Sequence, residues 1–296
     1  MRRRDRPPLD FKLVEQPLDM LVAATANKLE REWPRALASI VSAREFFVIN
    51  VRVTEITYRT IRWICADKPP DPFRRVEYGI SVPPLNRTIL ESIFTTLFVL
   101  EDIPSRSKWF LKAAWREEKL ELDRYVREYG GLEEWKVWLH RFSTHVEMGI
   151  RQIGISQNEV REPELIPRWP NPGSMVRYGI KKGQKVPPNR MFLHYLNDWF
   201  YRDLSSQSHL DGLGLMKRAG FLLSDYRRDE GTLTKLQQFK HDQVGTAITL
   251  VLALVSEIEA KFRFGLAERA KYLWKIIVDS MPVAQEIHEK RYSQLL

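Results

Sequence analysis

Cysteine is nearly missing from this chain of 296 residues, where Cys65 is the single one. One thiol cannot close an intramolecular disulfide, and a four-cysteine zinc site is excluded with it. A reducing, cytoplasmic setting is the simplest fit. Long hydrophobic runs are also scarce. The most apolar window, 246–255, is about half the length needed to cross a bilayer, and it runs on into Glu257, Glu259, Lys261 and Arg263. A buried core helix is therefore expected there, with no membrane association. No glycine-rich phosphate loop follows a strand, and there is no G-x-S-x-G elbow. His140 and His145 are five apart, so the i, i+4 pair of a helical zinc site is absent. Neither a metal nor a cofactor is expected. The basic start, Arg2-Arg3-Arg4-Asp5-Arg6, is followed by Leu9-Asp10-Phe11-Lys12 rather than by an apolar run. It lacks a secretory core, and residues 1–15 are expected to form a flexible basic arm.

What the chain does have is apolar content, 44%, enough to bury a large core and to exclude a disordered polymer. Its apolar residues recur at 3.6-residue spacing, while strand-like alternation is almost absent. The expected fold is all-α, a largely antiparallel multi-helix bundle forming one domain over 16–296. Helices are expected at about 16–33, 34–67 (opened by Pro34), 83–100, 105–128, 132–155, 188–209, 211–223, 232–264 and 266–291. The stretches 34–67 and 232–264 keep their periodicity longest and should be the two longest helices.

The segment 157–190 breaks this pattern, carrying six of the seventeen prolines and no helical period. A long crossing loop is expected. From Arg151 to Arg190 eight basic residues face three acidic ones, which places +5 of the net +9 here. Arg177, Tyr178, Lys181, Lys182 and Lys185 combine cations with an aromatic and glycines, a composition suited to phosphate contacts beside a stacked base. The bland reading of the same residues is a solvated basic loop.

Two polar constellations stand out on apolar helices. Arg87 and Glu91 are four apart and interleave with Leu90, Phe94 and Leu97, so they should be partly buried and need polar partners. In the stretch Tyr201-Arg202-Asp203-Leu204-Ser205-Ser206-Gln207-Ser208-His209, a regular helix aligns Tyr201, Ser205 and His209 on one stripe and nearly eclipses Arg202 with His209. The Tyr201/Ser205/His209 stripe is the best supplied partner for Arg87 and Glu91. A structural reading competes at both places: a buried ion pair that sets helix register, and a histidine that ends its helix.

Arg87-x-x-x-Glu91, the tryptophan loop Arg168-Trp169-Pro170-Asn171-Pro172 and Tyr201-x-x-x-Ser205-x-x-x-His209, in that order, resemble an uncharacterised bacterial family of all-helical domains over about positions 30–265. Arg202-Asp203, with six residues between Arg202 and His209, also resembles the signature of HEPN ribonucleases. That resemblance implies a dimer cutting RNA without metal, in the manner of toxins and phage-defence effectors that act with a protein partner. Arg202 and His209 would be its catalytic pair. Chemically, His209 would move a proton at a ribose hydroxyl or leaving oxygen, and Arg202 would neutralise charge on the phosphate. The alternative is a non-catalytic helical module that binds nucleic acid, a nucleotide or a protein partner, in which Arg87, Glu91, Tyr201, Ser205 and His209 form a buried polar network.

Overall fold

The computed structural model describes residues 9–66, 79–181, 183–208 and 230–296; among them every regular element is helical. The chain divides into two compact units, one made of 1–34, 47–97 and 172–296, the other of 35–46 and 98–171.

The first unit is organised around the helix Glu230–Phe262. Val244, Ala247, Ile248, Leu250 to Val255 and Ile258 are all buried along it, because the helices Lys12–Arg31, Ala267–Ser280 and Pro282–Ile287 pack around it. The span Leu233–Phe262 is long and apolar enough to cross a membrane, and 89% of its most apolar stretch is buried inside the structure. Polar ties fix the register of its neighbours. Asn86 donates to the Gln243 carbonyl at 3.0 Å and to its side-chain oxygen at 2.8 Å. Asn50 donates to Thr96 Oγ1 at 2.6 Å, and Arg62 bridges Glu15 and Asp19 at 2.7 Å each. The long helix ends where Glu259 accepts the backbone N–H groups of Phe264 and Gly265, at 3.0 and 3.1 Å, with Gly265 at φ +80. The carboxylate supplies the acceptor that this left-handed exit needs.

The second unit is built on an antiparallel pair, Ile103–Tyr129 and Lys136–Ile153. Asp102 caps the first helix by accepting from Ser105 N–H. Trp115, Leu122, Leu139, Val146, Ile155 and Ile166 form its core. Trp115 also donates to the Val146 carbonyl at 3.0 Å. A Cβ on Gly149 would come within 2.9 Å of the Trp115 ring, so only glycine admits this close crossing.

Several boundaries differ from expectation. Pro34 does not open the long helix: Ala38 and Ile40 close i→i+3 bonds onto Arg35 and Leu37, and the helix restarts at Val41. That leaves Val41–Cys65 with 25 residues, fewer than the 27 of Ile103–Tyr129, so the latter is second in length to the 33 of Glu230–Phe262. The 157–190 crossing holds short helices, Gln157–Arg161, Pro163–Leu165 and Pro172–Arg177, in place of a continuous loop. Prolines divide it into runs too short to display a period, and a capping box between Ser156 and Glu159 starts the first. The helix expected at 211–223 lies outside the described residues.

Candidate functional site

Arg87 and Glu91 sit on the helix Pro83–Glu101, whose Leu90, Phe94 and Leu97 are fully buried. Arg87 Nε donates to Glu91 Oε1 at 2.9 Å and Arg87 Nη2 donates to the Tyr201 hydroxyl at 2.9 Å. The same hydroxyl donates to Glu91 Oε1 at 3.2 Å. The guanidinium lies 5.1 Å from the centroid of the Tyr201 ring, which packs on Phe94. The three residues thus form a closed polar triangle on an apolar floor. Burial, then Glu91, push the Tyr201 hydroxyl above its ordinary range against the pull of Arg87. Tyr201 therefore stays protonated and can donate to the carboxylate. Burial works against the Arg87 charge, but Tyr201 and Glu91 outweigh it.

Ser205 is half-buried and makes no hydrogen bond to this triangle. His209 and Lys182 lie outside the described residues. Arg202 points away from the triangle, with 72% of its side chain exposed, and reaches Asp198 at 3.5 Å. The expected stripe of Tyr201, Ser205 and His209 assumed a regular helix. The chain from 188 to 208 passes through a π turn at Asn197–Tyr201, whose wider winding shifts the residues after it relative to those before it.

That turn organises a cluster missed in the sequence reading. His194 Nδ1 lies 2.8 Å from Asp198 Oδ2. Asn197 Nδ2 donates to Asp198 Oδ1 at 3.1 Å, and Arg202 approaches the same oxygen. His194, Asp198 and Arg202 follow one another at four-residue steps, a spacing visible in the sequence.

The cations of the crossing and its aromatic are also on the surface: Arg177, Tyr178, Lys181 and Lys185 are all exposed. Gly183, at φ +84, turns the chain, and Lys181 N–H donates to Gln184 Oε1 at 3.2 Å. The preceding helix, Pro172–Arg177, packs against Pro188–Leu196 and the π turn. The exposed basic segment is therefore anchored to the element that carries Asp198 and Arg202.

A second buried polar cluster closes the C-terminal helices. Arg291 clasps Glu257 with two bonds of 2.8 Å and donates to Asn189 Oδ1 at 2.7 Å. Glu257 is 3% and Arg291 11% exposed. The signal for it was a glutamate just past an apolar run. Among the described residues no group of three His, Cys, Asp or Glu side chains could hold a metal ion.

The chain matches no protein-family model, no curated protein and no solved structure.

Proposed function

We propose that this protein is a helical RNA-binding module whose contact face is the segment from Arg177 to Arg202. The observation that carries the reading is the exposure of Arg177, Tyr178, Lys181, Lys185 and Arg202 on one anchored stretch of chain. Arg87 and Glu91, by contrast, are consumed by Tyr201. Exposed cations on a folded support attract the phosphate backbone, and Tyr178 offers a ring on which a base can stack. The Arg87–Glu91–Tyr201 triangle then serves as the scaffold that holds the Pro83–Glu101 helix to the 188–208 helix. Titration of a fluorescent single-stranded RNA at several salt concentrations tests this. Binding should weaken steeply with salt, and an affinity indifferent to salt would overturn the proposal.

A second reading, the dimeric HEPN-like endoribonuclease with Arg202 and His209 as its pair, is favoured by one observation. Arg202 is solvent-facing and held only loosely, at 3.5 Å, so a phosphate could displace Asp198 at little cost. Loss of EDTA-resistant RNA cleavage in both Arg202→Ala and His209→Ala, with the fold intact, would support this reading. A wild-type dimer that cuts no RNA would end it.

A further inference from the structure

We propose that His194, Asp198 and Arg202 form an RNA-cleaving site. This goes beyond RNA binding and rests on RNA being the ligand. Three features of the geometry carry it. A carboxylate only accepts hydrogen bonds, so the 2.8 Å contact assigns the proton of the neutral imidazole to Nδ1. That leaves the Nε2 lone pair unprotonated on a side chain that is 58% exposed. Asp198 is itself fixed, because its other oxygen receives Asn197 at 3.1 Å within the π turn. An imidazole oriented by a fixed carboxylate, with its second nitrogen open to substrate, is the arrangement of a general base. Arg202 shares the same carboxylate from the far side, which places a cation beside the base where a phosphate would sit. The exposed Lys181 and Lys185 precede the same helix and supply further phosphate contacts.

The reaction these groups support uses only the protein and the RNA. His194 Nε2 takes the proton of a ribose 2′-hydroxyl. The freed oxygen forms a bond to the adjacent phosphorus, and the bond from phosphorus to the 5′-oxygen breaks, its electron pair leaving with that oxygen. The departing oxygen takes a proton from water, and the resulting hydroxide removes the proton from the imidazolium. The products are a 2′,3′-cyclic phosphate and a free 5′-hydroxyl, with no change of oxidation state. Arg202 compensates the charge that builds on the phosphate as the new bond forms. Asp198 is a positioning residue, since it acts on the RNA only through His194.

The test uses the full chain, a short fluorescent single-stranded RNA and EDTA throughout, with affinity and cleavage read separately. The wild type should bind and cut, leaving 2′,3′-cyclic phosphate ends, and should bind but not cut the 2′-O-methyl form of the same oligonucleotide. His194→Ala should cut about 10²-fold more slowly or worse, at unchanged affinity and unchanged helicity. Free imidazole should return part of the activity to His194→Gly, which a purely structural role would not permit. Asp198→Asn should slow cleavage and Asp198→Glu should restore part of it, while Arg202→Ala should slow it as well. Binding without cleavage overturns this site and leaves the binding module standing, whereas absence of binding overturns both. Cleavage by His194→Ala at the wild-type rate overturns it equally.

Discussion

Replacing Tyr201 by phenylalanine removes one oxygen atom from the polar triangle and leaves everything else in place. The hydroxyl accepts from Arg87 at 2.9 Å and donates to Glu91 at 3.2 Å. Hydrogen bonds to charged partners are worth about 1.5–3 kcal/mol where water is excluded. Here 24% of Arg87 and 41% of Glu91 stay exposed, so solvent replaces part of what is lost and the expected cost is about 1 kcal/mol. The ring keeps its contact with Phe94 and its position under the guanidinium. Tyr201→Ala loses both, and for a half-buried ring about 2–3 kcal/mol is expected. In a chain of this size 1 kcal/mol corresponds to about 2–4 °C in Tm. Urea unfolding followed by circular dichroism, at constant m-value, reads the difference directly. A cycle with Glu91→Ala should show a coupling of at least about 0.5 kcal/mol, because both changes remove the same bond. Strict additivity, or a Tyr201→Phe as unstable as Tyr201→Ala, would refute the triangle as an energetic unit.

Glu257→Leu should destabilise by about 3–5 kcal/mol, because it strands the Arg291 charge in a buried site. Adding Arg291→Met should recover most of the loss, and chemical denaturation of the two variants checks this. In the second unit, burial works to raise the Glu159 carboxyl, but Lys112 and Ser156 hold it down to about 2, from 4.5. Because the folded value is depressed, its stabilisation is complete above the unfolded value and is lost as the pH falls from 4.5 toward about 2. Thermal melts across that window should show a smaller acid loss in Glu159→Gln than in the wild type, by about 2 kcal/mol at most; parallel curves would contradict it. If RNA is the ligand, neutralising Lys181 and Lys185 together should flatten the log–log salt dependence of binding by about 0.7 per cation removed. An unchanged slope would place the phosphates elsewhere.

How much of this was legible in the sequence depended on whether a feature repeats. The helical class was readable because apolar periodicity recurs over hundreds of residues and strand alternation does not. The buried character of 244–258 was readable for the same reason. Arg87 and Glu91 were found because charges on an apolar stripe demand partners, and the Tyr201/Ser205/His209 stripe was the one best supplied with polar groups. Local events were not readable. Nothing in Pro34-Arg35-Ala36-Leu37 distinguishes a helix start from a turn that closes i→i+3 and restarts at Val41. Glu257 was visible as a charge just past an apolar run, but its partner Arg291 is 34 residues away, and no local pattern links the two.

The π turn at Asn197–Tyr201 shows why the most polar stretch of the chain was the hardest to read. A helical wheel assumes about 100° per residue throughout, and one wider turn rotates everything beyond it relative to everything before. Projection across 197–201 therefore misplaces side chains even when every residue is helical. Tyr201, at the end of the turn, reaches Arg87 and Glu91, while its neighbour Arg202 is thrown outward to Asp198. Two adjacent residues thus serve opposite faces, one closing the interior and the other facing solvent. The turn leaves Asp198 beside both His194 and Arg202, where its carboxylate spans the wider winding. If that carboxylate helps to hold the turn open, Asp198→Ala should relax 197–201 toward ordinary helix and draw Tyr201 off the triangle. The variant would then lose stability comparable to Tyr201→Phe, about 1 kcal/mol, despite changing an exposed ion pair worth less than that by itself. A loss of stability that adds independently to Tyr201→Phe in the double variant would mean the turn is held by the backbone and its packing alone.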